Sequence, residues 1–170
     1  MGILIEKASP ADAELILNYL KQVGSETNNL TFGSDGLPIS VEAEASYIAQ
    51  LEHSCDDVML VAKDNGKIIG NASLNRLPRR MGHRGNFSVA VLKDYWNKGV
   101  GSQLLSTIID FAKANSFDII DLQVRSDNLR AIHLYEKYGF QKTGTHPAFF
   151  KIGNEYVHFD YMFLNLFTDK

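Results

Sequence analysis

Apolar and polar positions follow one another along this chain in a readable succession of periods. Ile3 to Lys7 has the composition and length of a strand; Ala13, Ile16, Leu17 and Leu20 then recur at helical spacing behind the helix-start pair Ser9-Pro10, with Gly24 as the expected end. Ser40 opens a second helix, with acidic residues at Glu42 and Glu44 approximating a capping box and Ala45, Ile48, Ala49 and Leu51 as its expected inward face. From Val58 the texture changes to strands, VMLVAK and KIIGNASLNRL, joined by the hairpin signal Asp64-Asn65-Gly66-Lys67. Phe87 to Leu92 is a further strand, and Val100, Leu104, Leu105, Ile108, Ile109 and Ala112 form the apolar stripe of a third helix. Ile119 to Val124 alternates again, Asp127-Asn128 caps a fourth helix that Tyr138-Gly139-Phe140 ends, Gln141 to Lys151 leads through a His146-Pro147 turn, and Tyr156 to Leu166 is a last alternating strand.

The order β-α-α-β-β-β-α-β-α-β-β predicts an α/β chain with a mixed sheet and helices on both faces. At 170 residues and 45% hydrophobic content, a single domain spanning 1–170 is expected. A net charge of −3 offers no basic footprint for nucleic acid. No apolar run approaches the ~20 residues that cross a bilayer, and the N-terminal stretch lacks a signal peptide's charged and apolar regions, so the cytoplasm is the expected location. Cys55 is the one cysteine, which rules out an internal disulfide; it is read as structural.

The candidate chemistry begins at Asn86 to Ser102, NFSVAVLKDYWNKGVGS, a strand that bends into two glycines at the head of a helix. Gly99 and Gly101 remove side chains where first-turn N–H groups point outward unpaired, so an anion can approach them and the positive end of the helix dipole. A dinucleotide fingerprint would need Gly or Ala at position 104, which is Leu104, and the Walker pattern is absent. Neither NAD nor ATP is the natural ligand. A second stretch, Asp127 to Phe140 (DNLRAIHLYEKYGF), places Asn128 and Tyr135 seven residues apart, nearly on one helical face and about 10.5 Å apart along the axis.

Taken in this order, Gly99 and Gly101 followed by Asn128, Ala131, Leu134, Tyr135, Gly139 and Phe140 resemble the GNAT N-acetyltransferase superfamily, over about Lys67 to Phe163. Trp96 departs from the pattern, which has Gln or Arg there. The resemblance implies a mainly antiparallel sheet splayed between its fourth and fifth strands, with acetyl-CoA as co-substrate in the gap and no metal. It implies that backbone groups of Val89 and Val91 hold the pantetheine, that Asn97, Lys98, Gly99, Val100, Gly101 and Ser102 take the pyrophosphate, and that Asn128 bonds the pantetheine arm. Tyr135 is the implied general acid for the departing thiolate. The family's frequent glutamate base falls on Asn86, which cannot accept a proton usefully, so Glu26 and His83 stand as candidate bases beside a water path. The expected acceptor is a small primary amine such as an amino acid, with a homodimer left open as the one macromolecular partner. A ribosomal-protein-like N-terminal acetyltransferase and a non-catalytic acetyl-CoA-binding module are the alternatives.

Overall fold

The computed structural model describes residues 2–167. Eleven main elements appear in the expected order: β1 (Leu4–Lys7), α1 (Ala13–Glu26), α2 (Val41–Leu51), β2 (Asp57–Asp64), β3 (Lys67–Arg76), β4 (Arg84–Val91), α3 (Val100–Ala114), β5 (Ile119–Arg125), α4 (Leu129–Lys137), β6 (Gln141–Ile152) and β7 (Glu155–Asn165). The β2–β3 hairpin turns through Asn65 and Gly66 at φ 49° and 81°, the left-handed pair that a two-residue turn requires.

The strands form one sheet in the order β1-β2-β3-β4-β5-β7-β6, antiparallel throughout except at β4–β5. Helices cover both faces, because successive residues of β3 point to opposite sides. A Cβ on Gly70 would meet Leu104 of α3 at 3.3 Å, whereas the side chain of the next residue, Asn71, accepts a hydrogen bond from Tyr19 of α1 at 3.1 Å.

The parallel pair carries the feature that matters for function. Arg84, Gly85 and Asn86 pair with Ile119, Ile120 and Asp121, and there the pairing stops. Beyond it β4 stays with β3 as far as Val91, while β5 stays with β7 as far as the Arg125–Phe159 pair. Each strand follows its outer partner, so the two part into a wedge. The expected splay is therefore present between the fourth and fifth strands. At the closed end Arg84 donates to both carboxylate oxygens of Asp121, at 2.7 and 2.5 Å.

Three local expectations are corrected. α1 runs on to Glu26, two residues past Gly24, because Gly24 is a packing glycine: a Cβ there would lie 2.1 Å from the carbonyl oxygen of Gly33, in the loop that follows. On α2 the inward stripe is Glu44, Ile48 and Leu51, spaced four and three apart, and this rotation leaves Ala49 exposed. Cys55, read as structural, is exposed.

Candidate active site

The wedge is a cleft of about 440 Å³. One wall is the end of β4 (Val89 to Val91) with the turn into α3; the other is the end of β5 with α4; Thr27, Asn29 and Leu30 of the loop after α1 close one side. Backbone alternation decides what β4 offers it. Leu92 N–H donates to Ile69 and Leu77 N–H donates to Arg84 across β3, whereas Asp118 N–H donates to His83 on the β5 side. Even-numbered residues of β4 thus turn their backbone groups to β3, and odd-numbered ones turn theirs to β5. Past Asn86 there is no β5 partner, so Val89 and Val91 present N–H groups to the cleft. The Val91 carbonyl is already used: the Trp96 indole N–H donates to it at 2.7 Å.

At the head of α3, Gly99 is left-handed at φ 80°, and the first backbone bond into the helix is Gln103 N–H to the Gly99 carbonyl. The N–H groups of Val100, Gly101 and Ser102 have no backbone acceptor among the described residues, and all three residues line the cleft. Gly101 lies so close to α4 that a Cβ would meet Leu134 at 3.4 Å. A larger residue would fill the space between the two walls.

Asn128, the N-cap of α4, and Arg130, Ala131, Leu134 and Tyr135 of the helix itself line the cleft. Asn128 spends its side-chain oxygen on the helix N-cap, accepting from Ala131 N–H at 3.3 Å, which leaves its amide nitrogen for a ligand. Tyr135 is buried at the base, edge-on to Phe87 at 6.1 Å and tilted on Phe140 at 5.6 Å. Its hydroxyl has no hydrogen-bond partner among the described residues, yet it is not sealed off. Burial pushes its pKa above that of a free phenol, so the proton stays on.

The remaining expected residues are placed differently. Lys98 is not among the residues that line the cleft; its ammonium lies 5.3 Å from the ring of Tyr95, which does line it. The Ser102 hydroxyl is within 2.7 Å of the Tyr138 hydroxyl, so Ser102 offers its N–H but not a free side chain. Glu26 ends α1, and its carboxylate accepts the Lys93 N–H at 2.7 Å and the Gln22 amide at 3.1 Å, tying the helix to the turn after β4. His83 precedes β4 at the closed end, six residues and roughly 20 Å of strand from Val89, and its carbonyl holds β5. The fold brings Tyr135, Asn128, Val89, Val91, Asn97 and Gly99 to Ser102 together around one cleft; it does not bring Lys98 or His83 there, and it occupies the carboxylate of Glu26 elsewhere.

Residues that sequence reasoning missed also line the cleft, among them Gln123, Arg125, Phe159 and Arg130, together with Trp96, noted there only as a departure from the pattern. Gln123 and Arg125 alternate with buried Leu122 and Val124, a pattern visible in the sequence, but the splay that opens beside them is not. Gln123 donates to Asn86 at 3.3 Å, and Arg125 is held bidentately by Asp127 at 2.6 and 3.1 Å. No Asp, Glu or His lines the cleft among the described residues.

The model of the acetyltransferase (GNAT) family matches residues 28–140, and the chain belongs to that family. It is 30% identical over 92 residues to the N-alpha-acetyltransferase RimI of Mycobacterium tuberculosis and 35% identical over 106 residues to the L-amino acid N-acetyltransferase AaaT of Escherichia coli. Those matches cover 54% and 61% of this chain and span 56% and 65% of the two relatives' own lengths. The crystal structure of a GNAT-family acetyltransferase from Streptococcus pneumoniae superposes with a TM-score of 0.93 at 29% identity, covering 97% of this chain and all of that one.

Proposed function

We propose that the chain is an acetyl-CoA-dependent N-acetyltransferase acting on the amine of a small molecule, with a free amino acid as the class favoured. The observation that carries this reading is that two things line the same wedge: outward N–H groups on Val89 and Val91, and a protonated Tyr135 hydroxyl with no partner among the described residues.

The residues present fit acetyl-CoA. The free N–H groups at Val100, Gly101 and Ser102 suit a pyrophosphate, the strand edge suits an amide-containing arm, and the Gly101–Leu134 gap is one that a Cβ would narrow. Bound there, acetyl-CoA supplies an acetyl group activated as a thioester. Val89 and Val91 then orient the arm as a partner strand would, the Asn128 amide nitrogen adds a donor, and a β4 N–H polarises the acetyl carbonyl. Tyr135 holds a proton where the thiolate departs.

The amine must arrive neutral, and among the described residues that line the cleft none carries a carboxylate or imidazole to take its proton. Gln123 and Asn86 are hydrogen-bonding neighbours that can order water but not hold a proton at neutral pH. Deprotonation is therefore left to water and to the amine's own equilibrium. The same absence of carboxylates gives a polycation no counter-charge, which favours an amino acid over a polyamine or an aminoglycoside.

Release of free thiol from acetyl-CoA, measured against amino acids, polyamines, aminoglycosides and N-terminal peptides, tests the reading. The highest kcat/KM is expected within the amino acids. Highest turnover on a peptide would move the function to protein N-termini, and acetyl-CoA binding without thiol release on any amine would leave a binding module.

A further inference from the structure

One arginine in the cleft is unaccounted for. Of the two that line it, Arg125 is neutralised by Asp127, but Arg130 has no carboxylate partner among the described residues. Its guanidinium carbon instead lies 3.4 Å from the centre of the Trp96 ring, a face-on stack. Trp96 is itself fixed, since its indole N–H is spent on the Val91 carbonyl. The stack thus spans the wedge: Trp96 belongs to the turn between β4 and α3, and Arg130 belongs to α4 on the other wall.

Helix geometry sets where this cation stands. Arg130 precedes Leu134 by one turn, about 6 Å along the axis. Leu134 is the residue that abuts Gly101 at the head of α3. Arg130 therefore lies one turn from that contact on the same wall and lines the same cleft as the Val100 to Ser102 turn, whose N–H groups have no backbone acceptor among the described residues. Lys98, the other nearby cation, is turned toward Tyr95.

We infer that Trp96 and Arg130 form a clamp for the pyrophosphate of the acyl donor: the indole plane holds the guanidinium flat and partly desolvated, with its N–H edge free to donate to phosphate oxygens from the wall opposite the α3 turn. The inference rests on the acetyl-CoA reading given above.

Calorimetry with CoA, dephospho-CoA and pantetheine tests it, on the wild type and on Arg130→Ala, Arg130→Lys and Arg130→Gln. Trp96 is the only tryptophan, so its emission reports on the clamp independently of turnover. Arg130→Ala is expected to weaken CoA and dephospho-CoA alike, by about tenfold or more, and pantetheine by less than twofold. Arg130→Lys should recover part of the loss and Arg130→Gln little of it, because the planar, charged fork is what the stack presents. Trp96 emission should respond to CoA and dephospho-CoA and not to pantetheine. CoA affinity within twofold of wild type in Arg130→Ala would reduce Arg130 to a cover on Trp96. Loss for CoA but not for dephospho-CoA would move the contact to the 3′-phosphate and overturn the clamp as drawn, and equal loss for pantetheine would make the residue a packing element. A wild-type protein that binds none of the three would overturn the acetyl-CoA reading itself.

Discussion

Tyr135 shows how little a residue's identity says without its surroundings. On α4 it packs as a core aromatic against Phe87 and Phe140, and it also carries an unpaired hydroxyl into the cleft. Tyr135→Phe keeps the ring and removes the proton, so acetyl-CoA affinity should stay within about twofold while kcat falls roughly 10²-fold, the scale of one general acid. Single-turnover kinetics on the best amine measures this; a rate within twofold of wild type would return Tyr135 to packing alone. The pH dependence follows from the same residue and from the missing base. Burial raises the Tyr135 pKa, so its protonated form persists above pH 10, where a free phenol would ionise, and kcat/KM should show no alkaline fall up to that pH. On the acid side the profile should track the pKa of whichever amine is supplied, moving as the amine is changed. Glu26→Gln and His83→Ala should leave that profile in place, since Glu26 serves the Lys93 N–H and His83 lies at the closed end of the wedge. An inflection that stays fixed as the amine is changed and vanishes in either variant would establish that residue as the base.

Among the elements, the turn into α3 is the most exacting. Gly99 needs its positive φ, and Gly101 keeps the gap to Leu134 open: a Cβ would make contact at 3.4 Å and a larger side chain would fill the gap. Gly101→Val should fold, as judged by circular dichroism, yet lose about tenfold or more in acetyl-CoA affinity, the worth of one charge-assisted hydrogen bond. Gly85 makes the opposite demand, on stability: a Cβ would lie 2.7 Å from the Phe117 ring and 2.8 Å from Leu74, so Gly85→Ala should lower unfolding free energy by about 1–3 kcal/mol in urea titrations. The two glycines also mark how far the sequence could be read. Gly101 was legible because strand, bend and helix periodicity place it at a helix start, and the pairing of Asn128 with Tyr135 was legible because 3.6-residue repeats put both on one face. Arg130 and Trp96 were not, because their contact crosses two elements 34 residues apart and depends on how the walls of the wedge face each other. Glu26 could be named from the sequence as a carboxylate near a long loop, but that it accepts the Lys93 N–H depends on the fold and could not be read there.

For the whole molecule, the wedge follows from a division of loyalties within one sheet. β4 belongs to the β3 side and β5 to the β7 side, and only the short parallel segment clasped by Arg84 and Asp121 joins them. On the β5 side, Asp160 ties the base of α4 to the last hairpin: burial alone would raise its pKa, but hydrogen bonds from Ser126, Thr145 and Lys142 outweigh that and hold the carboxyl below its usual range. Each half is thus well held internally, and a ligand seated between them takes the place of the missing strand pairs. That substitution leaves a signature in the exchange of individual amides, because neighbouring residues of β4 face opposite ways. Ser88 and Ala90 are turned to β3 and are already protected in the free protein, whereas Val89 and Val91 are turned to the wedge with no acceptor. Acetyl-CoA should therefore slow exchange at Val89 and Val91 by at least about tenfold while leaving Ser88 and Ala90 nearly unchanged, a period-two pattern that general stabilisation would not produce. General stabilisation is expected too, about 2.7 kcal/mol at a hundredfold excess over Kd, but it raises protection across all residues that exchange by global unfolding. Amide exchange followed by NMR, with and without the ligand, separates the two effects. Uniform protection along β4, or protection confined to the α3 turn, would mean that the ligand does not complete the strand, and the role assigned here to Val89 and Val91 would fall.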